Sequence, residues 1–426
     1  MVTFDSAPQE FATWIAETIG SGAMEDGRLV RDIYGRLSFV TTEEAANRLA
    51  AQTGQPLPDL GAYAASHEII VGLPSDELSA FLAEPSVAIS GQGLRMIDRR
   101  VAGEEWLTRP AALAESPQRL VFHSVKGGVG RTTGLAITAA HLASRGFNTL
   151  VMDLDLEAPG IGSALLSSDE MPDYGVVDWF AALAAGADSD DLLQDMTSAC
   201  PLTSPKAVVD VVPACGAKPG AYLSKLARAY MPGAAEKEYA GFSFARKTDL
   251  LIGKLCQRRP YDFVLIDARA GLHETSGSLL LGLGAKVLVF GTDGDQTFDD
   301  FAILFDALQD SFAPELGGAD VRGAFKMVHA KAPRETGDRR EFRERSWALW
   351  TSSLYDEDDH PEATERTAFT FDLSDEEAPH FPLAIIGDDS YSRFNPRTNT
   401  YQLDAEAYAP VFGSFLKGIE QVLGLT

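Results

Sequence analysis

Lys126-Gly127-Gly128-Val129-Gly130-Arg131-Thr132-Thr133 comes shortly after the apolar run Leu120-Val121-Phe122 and leads into Leu135, Ile137 and Leu142, closed by Gly146. The order is strand, glycine-rich turn, helix. Such a turn lets successive backbone N–H groups and a helix N-terminus converge on a phosphate chain. Glycine at 127, 128 and 130 leaves out Cβ atoms that would block the approach and permits positive φ. Thr132 stands where a hydroxyl would hold Mg²⁺. Three glycines can also serve a purely structural turn. The strand before them and the helix after are the context that favours phosphate.

Two downstream segments sharpen this reading. Thr149-Leu150-Val151-Met152-Asp153-Leu154-Asp155 is a short buried-strand pattern ending in two carboxylates two residues apart. Period 2 puts both on one face if the strand runs that far. Phe263-Val264-Leu265-Ile266-Asp267 is a second apolar run ending in a carboxylate. In a parallel sheet the C-terminal strand ends share one edge, so these acids would gather beside the phosphates. A lone Asp after a strand is often only a turn cap. Loop and acids together, in this order, point to a site.

The loop resembles the deviant Walker A motif of the ParA/MinD family, KGGxGK followed by Ser or Thr, with Arg131 in place of the second lysine. The resemblance covers roughly residues 116 to 426. It implies an α/β fold, a P-loop NTPase with a mostly parallel sheet flanked by helices. It also implies a dimer-forming ATPase with ATP and Mg²⁺ as cofactors. The backbone of Gly127, Gly128, Val129, Gly130, Arg131, Thr132 and Thr133 would bind the phosphates, and Lys126 would reach across the dimer. Asp153 to Gly160 looks like switch I, in which Asp155 would polarise the attacking water. Asp267-Ala268-Arg269-Ala270-Gly271 occupies the D-x-P-x-G switch II, with Arg269 replacing proline. Thr132 and Asp267 would serve Mg²⁺, and the Gly271 N–H would face the γ-phosphate. Val208–Pro213, Lys286–Phe290 and Phe325–His329 resemble the remaining strands. Where the family places an Asn to read adenine, His329 and Lys331 stand here.

The 426 residues suggest two or three domains, and a hydrophobic fraction of 45% is ample for a core. A net charge of −26 argues against DNA as a default partner, because DNA affinity rests on Lys and Arg. The local cluster Arg334, Arg339, Arg340, Arg343 and Arg345 is interleaved with Glu341 and Glu344 and reads as a solvated helix face. Cys200, Cys215 and Cys256 have no metal-type spacing. No stretch approaches the length of a membrane span, and a cytoplasmic location is expected.

Residues 1–115 read as a small α+β domain, a partner-binding module or a scaffold appendage, and 109–117 as a linker. Residues 161–260 form a long insertion between the switches, with helices at Val176–Ala185 and Tyr222–Tyr230. The acidic stretch 351–379 reads as a solvated or mobile loop. Phe381–Ile386 reads as a last strand. The final helix, Ala405–Leu423, carries only Lys417 as a cation and is expected to dock on the sheet rather than on lipid.

Three functions fit. The first is a switch that dimerises on ATP, hydrolyses slowly and signals to a partner protein. The second is an enzyme on the same fold, a tyrosine kinase or a ligase or amidating synthetase. Scattered Tyr391, Tyr401 and Tyr408 speak against the kinase. The third is a nucleotide-bound scaffold that does not hydrolyse, which Arg131 keeps open because guanidinium is planar and larger than ammonium. Arg269 has two expected placements: inward as a finger in cis, or outward, paired with an acid such as Glu274 or with a partner protein.

Overall fold

A computed structural model describes residues 2–19, 26–51, 57–66, 69–84, 86–89, 93–100, 103–187, 190–202, 206–231, 242–312, 319–356 and 368–425. Contacts divide the chain into one unit over Met1–Thr108 and a second that begins at Arg109.

In the first unit, β1 (Arg28–Arg31) and β2 (Leu37–Thr42) form an antiparallel hairpin. Asp32 Oδ1 organises its turn by accepting the N–H groups of Tyr34 and Arg36, each at 2.8 Å. β3 (Ile70–Leu73), β4 (Val87–Ala88) and β5 (Arg95–Asp98) complete a sheet of order β3-β2-β1-β5-β4. The helix Ser6–Ile19 buries Phe11 and Ile15 with Leu29, Phe39 and Met96. Thr42 caps the helix Glu43–Ala51 by accepting the Ala45 N–H at 3.2 Å.

The second unit is built on eight strands: β6 (Gln118–Ser124), β7 (Thr149–Leu154), β8 (Ser198–Ala199), β9 (Val209–Val212), β10 (Phe263–Ala268), β11 (Lys286–Gly291), β12 (Phe325–Ala332) and β13 (Leu383–Ile386). Their order is β13-β12-β11-β6-β10-β7-β9-β8. Every neighbouring pair is parallel except β8 with β9. β7 and β10 are buried along their whole length, which is why residues 150–152 and 263–266 read as apolar runs: a parallel sheet is covered on both faces. On one face the helices Arg131–Ser144 and Ala405–Leu423 pack Leu135, Phe415 and Ile419 against Phe122, Leu265 and Phe290. The alternate set, Val121, Met152, Ile266 and Val289, is buried as well. The last helix thus docks on the sheet as its apolar spacing requires. Register places Asp267 directly beside Asp153 on β7 and Phe122 on β6, at one end of the sheet.

Two expectations need correction. Residues 109–117 are no free linker: the Ala111 N–H donates to Leu281 C=O and the Ala114 N–H to Gly284 C=O, each at 2.8 Å. Proline and alanine signalled a loop, and the loop's donors are satisfied by the second unit. The described part of the acidic stretch is likewise anchored. Lys326 Nζ donates to the carbonyls of Glu376 and Ala378 at 2.9 and 2.7 Å, and Trp347 Nε1 to that of Phe371 at 3.0 Å. Residues 357–367 of that stretch, with most of the run Asp356–Asp359, lie outside the described residues.

Candidate nucleotide site

β6 ends at Ser124, and the chain turns through the glycine loop into the helix Arg131–Ser144. Gly128 and Gly130 have φ of +73° and +90°, so both positions require glycine. Gly127 does not use positive φ and stands outside the cavity wall. A Cβ at any of the three would meet no atom within 4 Å, so the space over the loop is open. Gly130 is the helix N-cap and offers no side chain to cap it. The first-turn N–H groups therefore remain available to an anion.

The loop from Gly128 to Thr133 forms one wall of a cavity of about 540 Å³. That volume lies within the range of small-ligand pockets. The opposite wall comes from the ends of β12 and β13 and the loop beyond, including Lys331, Ile386, Asp389, Tyr391 and Phe394. Lys331 has φ of +55°, and its Nζ donates to the Gly128 carbonyl at 2.8 Å, tying the two walls together. His329 is turned away from the cavity: it is fully buried, stacked on Phe342 at 4.1 Å, with Nε2 3.0 Å from Asp293 Oδ1. Of His329 and Lys331, only Lys331 lines the cavity.

Behind the loop lies a buried polar cluster. Arg131 stands at its centre. Its Nε donates to Asp267 Oδ1 at 2.9 Å, Nη1 to Ser124 Oγ at 2.9 Å and Nη2 to Asp155 Oδ2 at 3.0 Å. A guanidinium donates to three acceptors from three separate nitrogens, as the single nitrogen of an ammonium would not. Thr132 Oγ1 donates to Asp267 Oδ2 at 2.7 Å. Asp155 and Asp267 do not form the cavity wall; Arg131 and Thr132 do.

Asp153, fully buried, accepts the N–H groups of Gly160 and Asp155 at 3.0 and 3.2 Å. Burial, then the neighbouring negative charge of Asp267, holds its carboxyl well above the usual range. Burial also raises Asp155, against the pull of Arg131. His123 is fully buried and pushed down to about 3, by burial first and the Arg131 charge second, so it is neutral.

The remaining residues read from the sequence are placed as follows. Lys126 is part-exposed, with Nζ 3.6 Å from Asp300 Oδ2. The Gly271 N–H, expected to face a γ-phosphate, donates instead to the Ser124 carbonyl at 3.0 Å, with Gly271 at φ +96°. Arg269 is not an inward finger, and its partner is not Glu274. It pairs with both oxygens of Glu157, at 2.7 and 2.6 Å. Arg269 and Glu157 thereby join the segments that resemble switch II and switch I. The insertion helix Tyr222–Ala229 supports the same place, since Tyr222 Oη donates to the Leu156 carbonyl at 2.6 Å. Ser124 and Tyr222 were not read as site residues from the sequence, and Glu157 only as part of the 153–160 segment.

The donor set fits a nucleotide with Mg²⁺. Among the described residues no three His, Cys, Asp or Glu side chains form a metal-holding group. Mg²⁺ does not need one, because it uses one or two carboxylates together with substrate phosphates. The fold is a mostly parallel eight-stranded α/β sheet with the glycine loop at the end of a central strand. The Pyrococcus furiosus cell division ATPase MinD is 20% identical over 72% of this chain and 99% of its own, with a TM-score of 0.43. An ATP complex of a Cyanothece McdA variant is 14% identical over 73% and 98%, with a TM-score of 0.44. A Borrelia burgdorferi plasmid partition protein is 15% identical over 71% and 100%, with a TM-score of 0.39. No family model matches the sequence, and no curated protein matches it. Likenesses this distant carry no function, which is read from the residues of the site alone. Among the described residues no helix is long and apolar enough to cross a membrane.

Proposed function

We propose that this chain is an ATP-binding, slowly hydrolysing molecular switch that dimerises on ATP and signals to a protein partner. The observation that carries the reading is the glycine loop opening onto a 540 Å³ cavity with Thr132, Asp155 and Asp267 gathered behind it. The backbone from Gly128 to Thr133 and the helix N-terminus bind the phosphates. Thr132 and Asp267 are the residues that would hold Mg²⁺, which supplies charge neutralisation across the phosphate oxygens when bound. Asp155 orients water once Arg131 releases it. Lys126, part-exposed at the mouth of the loop, would exchange its 3.6 Å pairing with Asp300 for a partner subunit's phosphates, where a charge in a dry interface couples nucleotide to assembly. Residues 1–115 are the proposed partner module; DNA is disfavoured by the net charge of −26.

One observation favours a second reading, a scaffold that binds nucleotide without hydrolysing it: Arg131 occupies both acids that hydrolysis needs. Light scattering with ATP and with ADP, paired with phosphate release, separates the two. The switch reading predicts a mass increase with ATP that is lost in Lys126→Ala, and slow turnover. A mass indifferent to nucleotide contradicts the switch, and an ATP dimer without phosphate release selects the scaffold.

A further inference from the structure

Arg131 sits where a P-loop site otherwise places its cation. Its guanidinium lies between two carboxylates, Asp155 at 3.0 Å and Asp267 at 2.9 Å, with Asp267 also taking the hydroxyl of Thr132. On the opposite side it borders the cavity, while the two acids behind it do not. A guanidinium has five N–H donors. Three are engaged by Asp267, Ser124 and Asp155, which leaves one on each Nη for an oxygen in the cavity. A magnesium ion does the same bridging work in such sites, joining protein carboxylates to phosphate oxygens.

We propose that Arg131 is a built-in counter-cation, so that this chain takes up a nucleoside triphosphate without a divalent metal. Mg²⁺ reaches Asp267 only after Arg131 withdraws. The inference rests on the nucleotide reading of the cavity and deepens it. The side chain is only 8% exposed and its partners are as deeply buried, so the pairing is little screened by salt. One guanidinium offsets one of the two acids. The helix N-terminus and Lys331, bound to the Gly128 carbonyl, add positive character on the phosphate side. A lysine at 131 would present one compact charge and could not span both acids and a phosphate at once.

The experiment is calorimetric titration of the full chain with ATP, once with Mg²⁺ and once with excess EDTA, repeated with Arg131→Lys. The proposal predicts wild-type dissociation constants that agree within about threefold in the two media. Arg131→Lys should weaken by about tenfold or more in EDTA and recover with Mg²⁺. A wild-type protein that binds only with Mg²⁺ overturns the proposal while leaving the nucleotide reading intact. An Arg131→Lys protein as indifferent to EDTA as the wild type also overturns it. Absence of binding in both media, in protein shown to be folded, overturns the nucleotide reading and this inference together.

Discussion

Replacing Arg131 with Met removes the only guanidinium among three buried carboxylates while keeping much of the side-chain volume. Asp153 and Asp267 are 0% and 1% exposed and Asp155 is 8% exposed, so water cannot take over the lost contacts without opening the site. Removing one partner of a buried ion pair costs roughly 3–5 kcal/mol, because the other charge is left uncompensated. Taking about 4 kcal/mol, and about 2 °C per kcal/mol for a unit of this size, Tm should fall by about 8 °C near neutral pH. The deficit should shrink on acidification. Asp153 and Asp155 already stand above their ordinary range, both chiefly through burial, and Arg131 is what pulls Asp155 down. Without it the folded chain holds protons at pH values where the unfolded chain does not. The variant's deficit relative to the wild type therefore shrinks as pH falls toward about 5. Urea unfolding of both proteins at about pH 7.5 and about pH 5.5 reads both effects. A loss under about 1 kcal/mol, or a loss independent of pH, would refute the buried clamp.

Arg269→Ala should leave turnover unchanged within about twofold, since its guanidinium is held by Glu157 rather than aimed at the cavity. A loss of about tenfold or more in kcat with nucleotide affinity retained would restore the finger. His123 is neutral in the folded chain down to about 3, whereas an unfolded histidine protonates near 6.5. Unfolding therefore takes up a proton below that value, and stability falls with pH by about 1.4 kcal/mol between about pH 7.5 and about pH 5.5. His123→Leu should lack this component in urea titrations; an identical pH slope in the two proteins would contradict it. Tyr222→Phe removes the hydroxyl bound to Leu156 C=O and should cost about 1 kcal/mol. An unchanged urea midpoint would show that the insertion helix does not brace the 153–160 segment.

Much of the second unit was legible because its signals are local and repeat. Continuous apolar runs at 120–122, 150–152 and 263–266 became adjacent parallel strands buried on both faces. The spacing of Val411, Phe415 and Ile419 gave the last helix with both ends in place. The loop and its two acids converged because strand ends in a parallel sheet share an edge. What escaped the sequence depends on which acceptor a long side chain finds. Arg131 turned inward because Ser124 and two acids accept from all three of its nitrogens. Arg269 found Glu157, 112 residues away, rather than Glu274 five residues on. The linker and the acidic stretch were misread for a related reason. Composition reports polarity, whereas the anchoring of 109–117 and 368–380 lies in backbone carbonyls and N–H groups that any sequence carries.

The central claim is that the loop from Lys126 to Thr133 and the cavity beside it hold a nucleotide, and direct titration of the folded full-length chain with ATP tests it. The account predicts one site per chain with a dissociation constant below about 1 mM. No heat and no competition at several times that concentration, in protein whose unfolding transition is intact, would contradict it.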